Sequence, residues 1–258
     1  MRIWYELYRY REMIFSLVRR DLKGRYKGSA LGFLWTFLNP LLQLLIYTFV
    51  FSIVMRNDVK DYYLFLFVAL VPWIFFSSCV AGGSNCIWSQ KEMVKKIYFP
   101  REVLPISFVL SQFVNMCLCF LVIFGVLVFS GRGIDLIAIL YLPVVLLVEF
   151  LLALGITMIT SACTVYFRDL EYILSIITMG WQFLTPVMYS VEIVPKKIQF
   201  IFYANPMTSI IEAYRDILYI GKIPRLSSLG IAFLIGSFLF LFGTMVFEKL
   251  QMRFAEEL

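Results

Sequence analysis

The 258 residues are 61% hydrophobic and 16% charged, against about 45–50% and about 25% in soluble domains, which excludes a water-soluble globular fold. The net charge of +6 does not point to nucleic acid, because the basic residues gather at segment ends and form no run interleaved with exposed aromatics. The chain contains no histidine, so the commonest general base, metal ligand and proton shuttle is missing.

Residues 1–28 carry eight Lys and Arg. On a helical wheel Trp4, Leu7, Tyr8, Tyr10, Ile14, Leu17, Val18 and Leu22 share one side, and most charges fall on the other, with Arg11 and Asp21 as exceptions. This pattern predicts an amphipathic helix in the membrane interface, its basic face toward anionic lipid headgroups. The alternative, a solvated tail, fits the aromatic content less well. The charged and aromatic first residues do not read as a cleavable signal peptide.

Apolar stretches then run from about 30–55, 62–81, 103–129, 134–162, 171–191 and 228–249. A hydrocarbon core about 30 Å thick takes roughly 20 apolar residues per helix, so these predict six transmembrane helices in a single domain over 29–258, an all-α membrane fold. With a cytoplasmic N-terminus, fifteen Lys and Arg lie inside against eight outside. Both termini are therefore expected in the cytoplasm.

The stretch 192–227 resists a further span, because Asn205-Pro206 and then Glu212, Arg215 and Asp216 interrupt it. Burying each charge in lipid costs about 2.5–3.5 kcal/mol. A re-entrant outer hairpin between the fifth and sixth spans avoids that cost if protein or a wet cavity surrounds it; a plain extracellular amphipathic helix is the other reading.

Between the second and third spans, residues 87–101 combine lysines with Trp88, Met93, Ile97, Tyr98 and Phe99 and close on Pro100. Span flanks need the charge but not the aromatics, so this segment is expected to dock into a groove on a cytoplasmic partner. Glu149 stands near the middle of its span, and it either faces a pathway or packs helices through a hydrogen bond. Aromatic residues such as Trp35, Tyr47, Trp73, Phe75, Phe76, Trp181, Phe183 and Tyr189 suit membrane belts and helix packing, and as a set they also suit a sugar path.

No enzyme constellation is visible. The cysteines Cys79, Cys86, Cys117, Cys119 and Cys163 sit in or beside apolar segments without metal spacing. Gly82-Gly83 and Gly221-Lys222 lack the spacing of a phosphate loop. If ATP drives this protein, another polypeptide binds it.

In order along the chain stand RYKGSALGFLWTFLNPLLQ from Arg25, PWIFFSS from Pro72, KKIYFPREVLP from Lys95, YFRDLEYIL from Tyr166, FLTPVMYS from Phe183, YANPM from Tyr203 and RFAEEL from Arg253. With the basic amphipathic start, this order resembles the permeases of ABC type 2 exporters of polysaccharide, O-antigen or teichoic acid. The resemblance implies a homodimer in the bacterial cytoplasmic (inner) membrane, each copy bound to a separate ATPase subunit that holds ATP and Mg, moving a glycan on a polyprenyl carrier. It implies no catalytic residue and no cofactor or metal site in this chain. Carried over by position, Lys95, Lys96, Tyr98, Phe99 and Arg101, with Arg168 and Asp169, would couple to the ATPase. Arg20, Lys23, Arg25 and Lys27 would meet the carrier pyrophosphate or headgroup. Trp35, Tyr47, Trp73, Phe76, Glu149, Trp181 and Tyr189 would line the path, and Asn205, Pro206, Glu212 and Arg215 would form the outer gate. An integral-membrane transferase is disfavoured by the lack of an acid cluster or histidine, and a proton-coupled carrier by the lack of paired ionisable groups or an internal repeat.

Overall fold

The computed structural model describes residues 7–24, 28–55, 59–130 and 135–258. Among the described residues the regular structure is entirely helical, as expected where backbone groups must satisfy one another away from water. In chain order the helices are α1 (Arg11–Gly24), α2 (Trp35–Thr48), α3 (Tyr62–Ser77), α4 (Lys91–Lys96), α5 (Val103–Phe129) and α6 (Leu136–Ile139). They continue with α7 (Leu142–Tyr166), α8 (Leu170–Leu184), α9 (Gln199–Ala204), α10 (Pro206–Arg215), α11 (Leu226–Gln251) and α12 (Phe254–Glu257). With the π-type and 3-10 turns that extend α2, α3 and α10 at their ends, five helical segments are long and apolar enough to cross a membrane: Gly32–Val54, Tyr62–Gly82, Val103–Phe129, Leu136–Tyr166 and Leu226–Arg253.

The fifth predicted span is shorter than its apolar sequence. Helix α8 holds 15 residues and stops at Leu184, and Thr185 turns extended at φ −111° and ψ 130°. Pro186 is the cause, since its ring disfavours helical backbone in the residue before it. The expected end at residue 191 counted apolar character that belongs to an irregular stretch.

Ring contacts and hydrogen bonds fix how the helices run. Tyr62 Oη donates to the Met188 carbonyl at 2.7 Å, Phe76 meets Trp181 edge-on at 5.2 Å, and Asn85 Nδ2 donates to Glu171 Oε1 at 3.1 Å. Glu171 to Met188 therefore runs antiparallel along the whole of α3, from its lower end at Gly82 to its upper end at Tyr62. Helices α7 and α11 run parallel and nearly touch. A Cβ on Gly155 would stand 2.6 Å from the backbone of Leu239 and Phe240, and one on Gly243 would stand 2.5 Å from the Gly155 carbonyl oxygen. Small residues allow such close approach where lipid offers no hydrophobic drive between helices. Lower down, Tyr166 Oη donates to the Leu250 carbonyl at 2.8 Å.

Helix α1 packs lengthwise on α5 with Ile14 and Leu17 buried. Asp21, an exception on the helical wheel, turns toward α5 and accepts a hydrogen bond from Ser111 Oγ. Tyr8, placed on the apolar side by the wheel, is instead exposed and lies under the Arg11 guanidinium at 4.5 Å.

Candidate functional site

At the lower end the two predicted partner contacts come together. The Arg168 guanidinium lies over the Trp88 ring at 3.6 Å, with Lys91 at 5.2 Å, so the loop after α7 and the loop after α3 share one surface by cation–π stacking. Lys95, Lys96 and Asp169 are exposed there. Lys96 Nζ lies 2.8 Å from Glu92 Oε2, and that hydrogen bond holds the Glu92 carboxyl below its ordinary value. Tyr98 projects with 97% of its surface free.

Two of the expected contacts point inward. Phe99 is buried, so it anchors the loop rather than entering a partner groove, while Ile97 and Tyr98 before it, where the helix has given way to extended backbone at Ile97, are exposed. Arg101 donates to the Gln251 carbonyl and lies over the Phe254 ring at 5.9 Å. Beside it, Gln251 Nε2 donates to Glu102 Oε1 at 2.5 Å. The docking loop is thereby tied to the lower end of α11.

Between α1, the end of α3, α5 and α8 lies a cavity of about 550 Å³ lined by Arg20, Asp21, Asn85, Ser89, Ser107 and Glu171, among others. Of the predicted headgroup residues, Arg20 lines this cavity and Lys23 is exposed nearby on α1. Arg25 and Lys27 lie outside the described residues.

At the upper end α10 is buried around most of its circumference, with Met207, Thr208, Ile210, Ile211, Ala213, Tyr214 and Arg215 enclosed. Asn205 caps it by accepting from the Met207 N–H at 3.1 Å, and its Nδ2 donates to Thr185 Oγ1 at 2.9 Å. Pro206 follows at the first helical position, where its missing N–H costs nothing. Glu212 is half-buried. Arg215 is 5% exposed and donates to the carbonyls of Val187 at 2.7 Å, Tyr189 at 3.2 Å and Phe65 at 3.5 Å, with its guanidinium 3.7 Å over the Phe65 ring. It is a fastener between α10, α3 and the segment after α8, not a group at an opening.

Glu149 has the partner that charge pairing did not suggest. Tyr214 Oη donates to its Oε2 at 2.6 Å, and Glu149 itself is wholly enclosed. Trp73 and Phe76 are likewise buried among this chain's own helices, so these three do not face an opening within the chain. Trp181, Tyr47 and Tyr189 are half-buried, and Trp35 lines a small cavity between α2, α3 and α5. Tyr214 escaped the sequence reading because only its 65-residue separation from Glu149 along the chain was visible; a tyrosine among Glu212, Arg215 and Asp216 was the one hint. The Trp88–Arg168 stack offered no signal in advance.

Five apolar helical segments of membrane-crossing length, with basic and aromatic loops gathered at one end and the buried helix α10 at the other, are the build of a multi-pass membrane protein. Residues 12–219 match the ABC-2 type transporter family, and the chain belongs to that family. It is 36% identical over 260 residues, 100% of both chains, to the O-antigen export system permease protein RfbA of Myxococcus xanthus. It is 32% identical over 245 residues, 95% of this chain and 94% of the relative, to a protein of the same description from Klebsiella pneumoniae. To the polysialic acid transport protein KpsM of Escherichia coli it is 24% identical over 221 residues, 83% of this chain and 84% of the relative.

Proposed function

We propose that this chain is the permease subunit of an ATP-driven exporter of lipid-linked polysaccharide across the bacterial cytoplasmic membrane. The full-length similarity to O-antigen export permeases carries the reading. In this reading ATP and Mg belong to a separate ATPase subunit, and two copies of the chain form the path.

In this reading the chain crosses the membrane six times, which the pairing of α3 with the segment after α7 supports. The α3 span holds 21 residues, roughly 31 Å of helix, and Glu171 to Met188 lies along all of it, so the short α8 and the irregular stretch beyond it together cross once. The parallel run of α7 and α11 supports the same count, since the chain has to return to the upper end before α11 begins. The lower end is then cytoplasmic, with both termini, and α9 and α10 form a re-entrant outer hairpin whose apex is Asn205-Pro206. Helix α1 follows α5 upward from the cytoplasmic interface.

The docking surface comprises Tyr98, Lys95, Lys96, Asp169 and the Trp88–Arg168 stack, and Arg101 passes its movement to α11. Arg20 in its cavity, with Lys23, Arg25 and Lys27, receives the carrier's pyrophosphate, for which charge-assisted hydrogen bonds are the strong kind. The apolar faces of α2 and α8 left bare in one chain meet the second copy and lipid, and Trp35, Tyr47, Trp181 and Tyr189 border the path. The test is reconstitution with and without the neighbouring ATPase subunit: export requires both, and Tyr98→Asp abolishes retention of the ATPase. Glycan export that proceeds without an ATPase refutes the proposal.

A further inference from the structure

The cavity behind Arg20 has a lining that a pyrophosphate does not explain. Its volume is about 550 Å³, within the 300–1,000 Å³ of sites that enclose small organic ligands. Arg20 is exposed, whereas Asp21 on the same helix and Glu171 in the first turn of α8 are half-buried. Ser111 Oγ donates to Asp21 on the α1–α5 side, and Asn85 Nδ2 donates to Glu171 Oε1 at 3.1 Å on the side of α3 and α8. The two carboxylates therefore stand on different walls, each oriented by a neutral donor. A phosphate seated between them would meet like charge; its place is at the mouth, with Arg20.

Two glycines keep the interior open. Gly24, at the end of α1, lines the cavity, and a Cβ on it would meet nothing within 4 Å. Gly82, which lacks phosphate-loop spacing, lets a ring come close instead: a Cβ there would stand 3.2 Å from Phe108 Cζ. Phe108, Leu17 and Leu104 give the cavity an apolar wall on the α1–α5 side, and Gln90 and Glu171 come from the elements across it. The lining thus offers an aromatic face together with more hydrogen-bond acceptors than positive charge.

A ligand that matches has hydroxyls to donate to carboxylates, which present about four lone-pair positions each, and an apolar C–H face to lie on an aromatic ring. We infer that this cavity holds the first sugar ring of the carrier-linked glycan, a neutral pyranose, with the adjoining phosphate on Arg20 at its mouth. The inference rests on the export reading, and it adds a selectivity. A ring that carries its own carboxylate, as a uronic acid does, would bring that charge against Glu171 and be rejected.

The full chain in lipid nanodiscs is titrated separately with α-D-glucosyl phosphate, α-D-glucuronosyl phosphate, α-D-glucosaminyl phosphate and inorganic phosphate, with empty nanodiscs as the blank. Saturation-transfer NMR reads the ring protons, and the phosphorus line width reads the phosphate. Glucosyl phosphate saturates, and glucuronosyl phosphate and inorganic phosphate each need at least tenfold more. Glu171→Gln, whose amide oxygen can still accept from Asn85, brings glucuronosyl phosphate to within threefold of glucosyl phosphate, a change of selectivity that a merely structural role would not produce. Gly24→Phe fills the cavity without altering its charges and raises the half-saturating concentration of glucosyl phosphate tenfold or more. Inorganic phosphate that binds as well as glucosyl phosphate, tenfold tighter binding of the glucosaminyl compound, which would mark an amine site, or unchanged selectivity in Glu171→Gln overturns the inference. Intact glycan export with no saturable ring signal sinks the subsite alone; a saturable ring signal in a chain that exports no glycan with its ATPase sinks the export reading alone.

Discussion

The first two spans are sequence neighbours of nearly equal length, 23 and 21 residues, yet within an 18-residue apolar stretch of each, 6% of the first and 78% of the second is buried within the chain. Both are predominantly apolar, α3 around its whole circumference and α2 apart from Thr36, Asn39 and Gln43 on one side, and an apolar helix face is buried in protein or in lipid. Helix α3 is enclosed by α2, α5, α8 and α10, while α2 touches the bundle along one edge and leaves Leu45, Ile46, Phe49 and Ile53 bare. Hydropathy measures what a helix can leave water for, and it is blind to what the helix meets on the other side.

Substitutions probe this contrast between core and rim. The largest effect belongs to Gly155→Leu, because even a Cβ there meets the backbone of α11 at 2.6 Å. Overpacking against rigid backbone exceeds the usual range of about 1–3 kcal/mol, so the protein is expected to lose folded yield in size-exclusion profiles of detergent extracts. Phe76→Ala in α3 removes a wholly enclosed ring and is expected to cost on the order of 3 kcal/mol, read as a lowered midpoint of thermal unfolding in detergent. Leu45→Ala in α2 supplies the rim control: a 65% exposed side chain predicts a change within about 0.5 kcal/mol. A large loss there would show that α2 is as tightly held as α3.

Smaller effects separate connection from packing. Tyr214→Phe keeps the ring beside Phe120 and removes only the 2.6 Å bond to Glu149, for an expected loss of about 1–3 kcal/mol. Glu149→Gln in that background restores part of it, because an amide tolerates the missing donor better than an enclosed carboxyl does; no recovery in the double variant would argue against the bond. Tyr98→Asp leaves the unfolding midpoint unchanged and removes the ATPase in pull-down, whereas Phe99→Asp lowers the midpoint itself. Equal behaviour of the two neighbours would erase the distinction between a docking and an anchoring side chain.

What the sequence made legible was length and charge. All five long spans begin within two residues of their expected starts, counting Gly32, Tyr62, Val103, Leu136 and Leu226 against 30, 62, 103, 134 and 228, since apolar runs bounded by charges mark helix limits directly. Helix α8 was overextended because Val187 and Met188 are apolar without being helical. The break at Asn205-Pro206, where α10 begins, was legible in the sequence, but the role of Arg215 was not, because its partners are backbone carbonyls that no residue type announces. Phe99 and Tyr98 read alike in composition and differ in which of them is buried.

The close contact of α7 with α11 bears on how the chain is made. Helix α11 is synthesised after everything it clamps, so when α7 enters the membrane the groove at Gly155 has no occupant. Helix α10 is in the same position, since it also packs on α11. The bundle thus closes late, around a helix pair whose first member waits for its second. A factor that shields small-residue grooves in newly inserted helices would find α7 exposed throughout the synthesis of α8, α9 and α10.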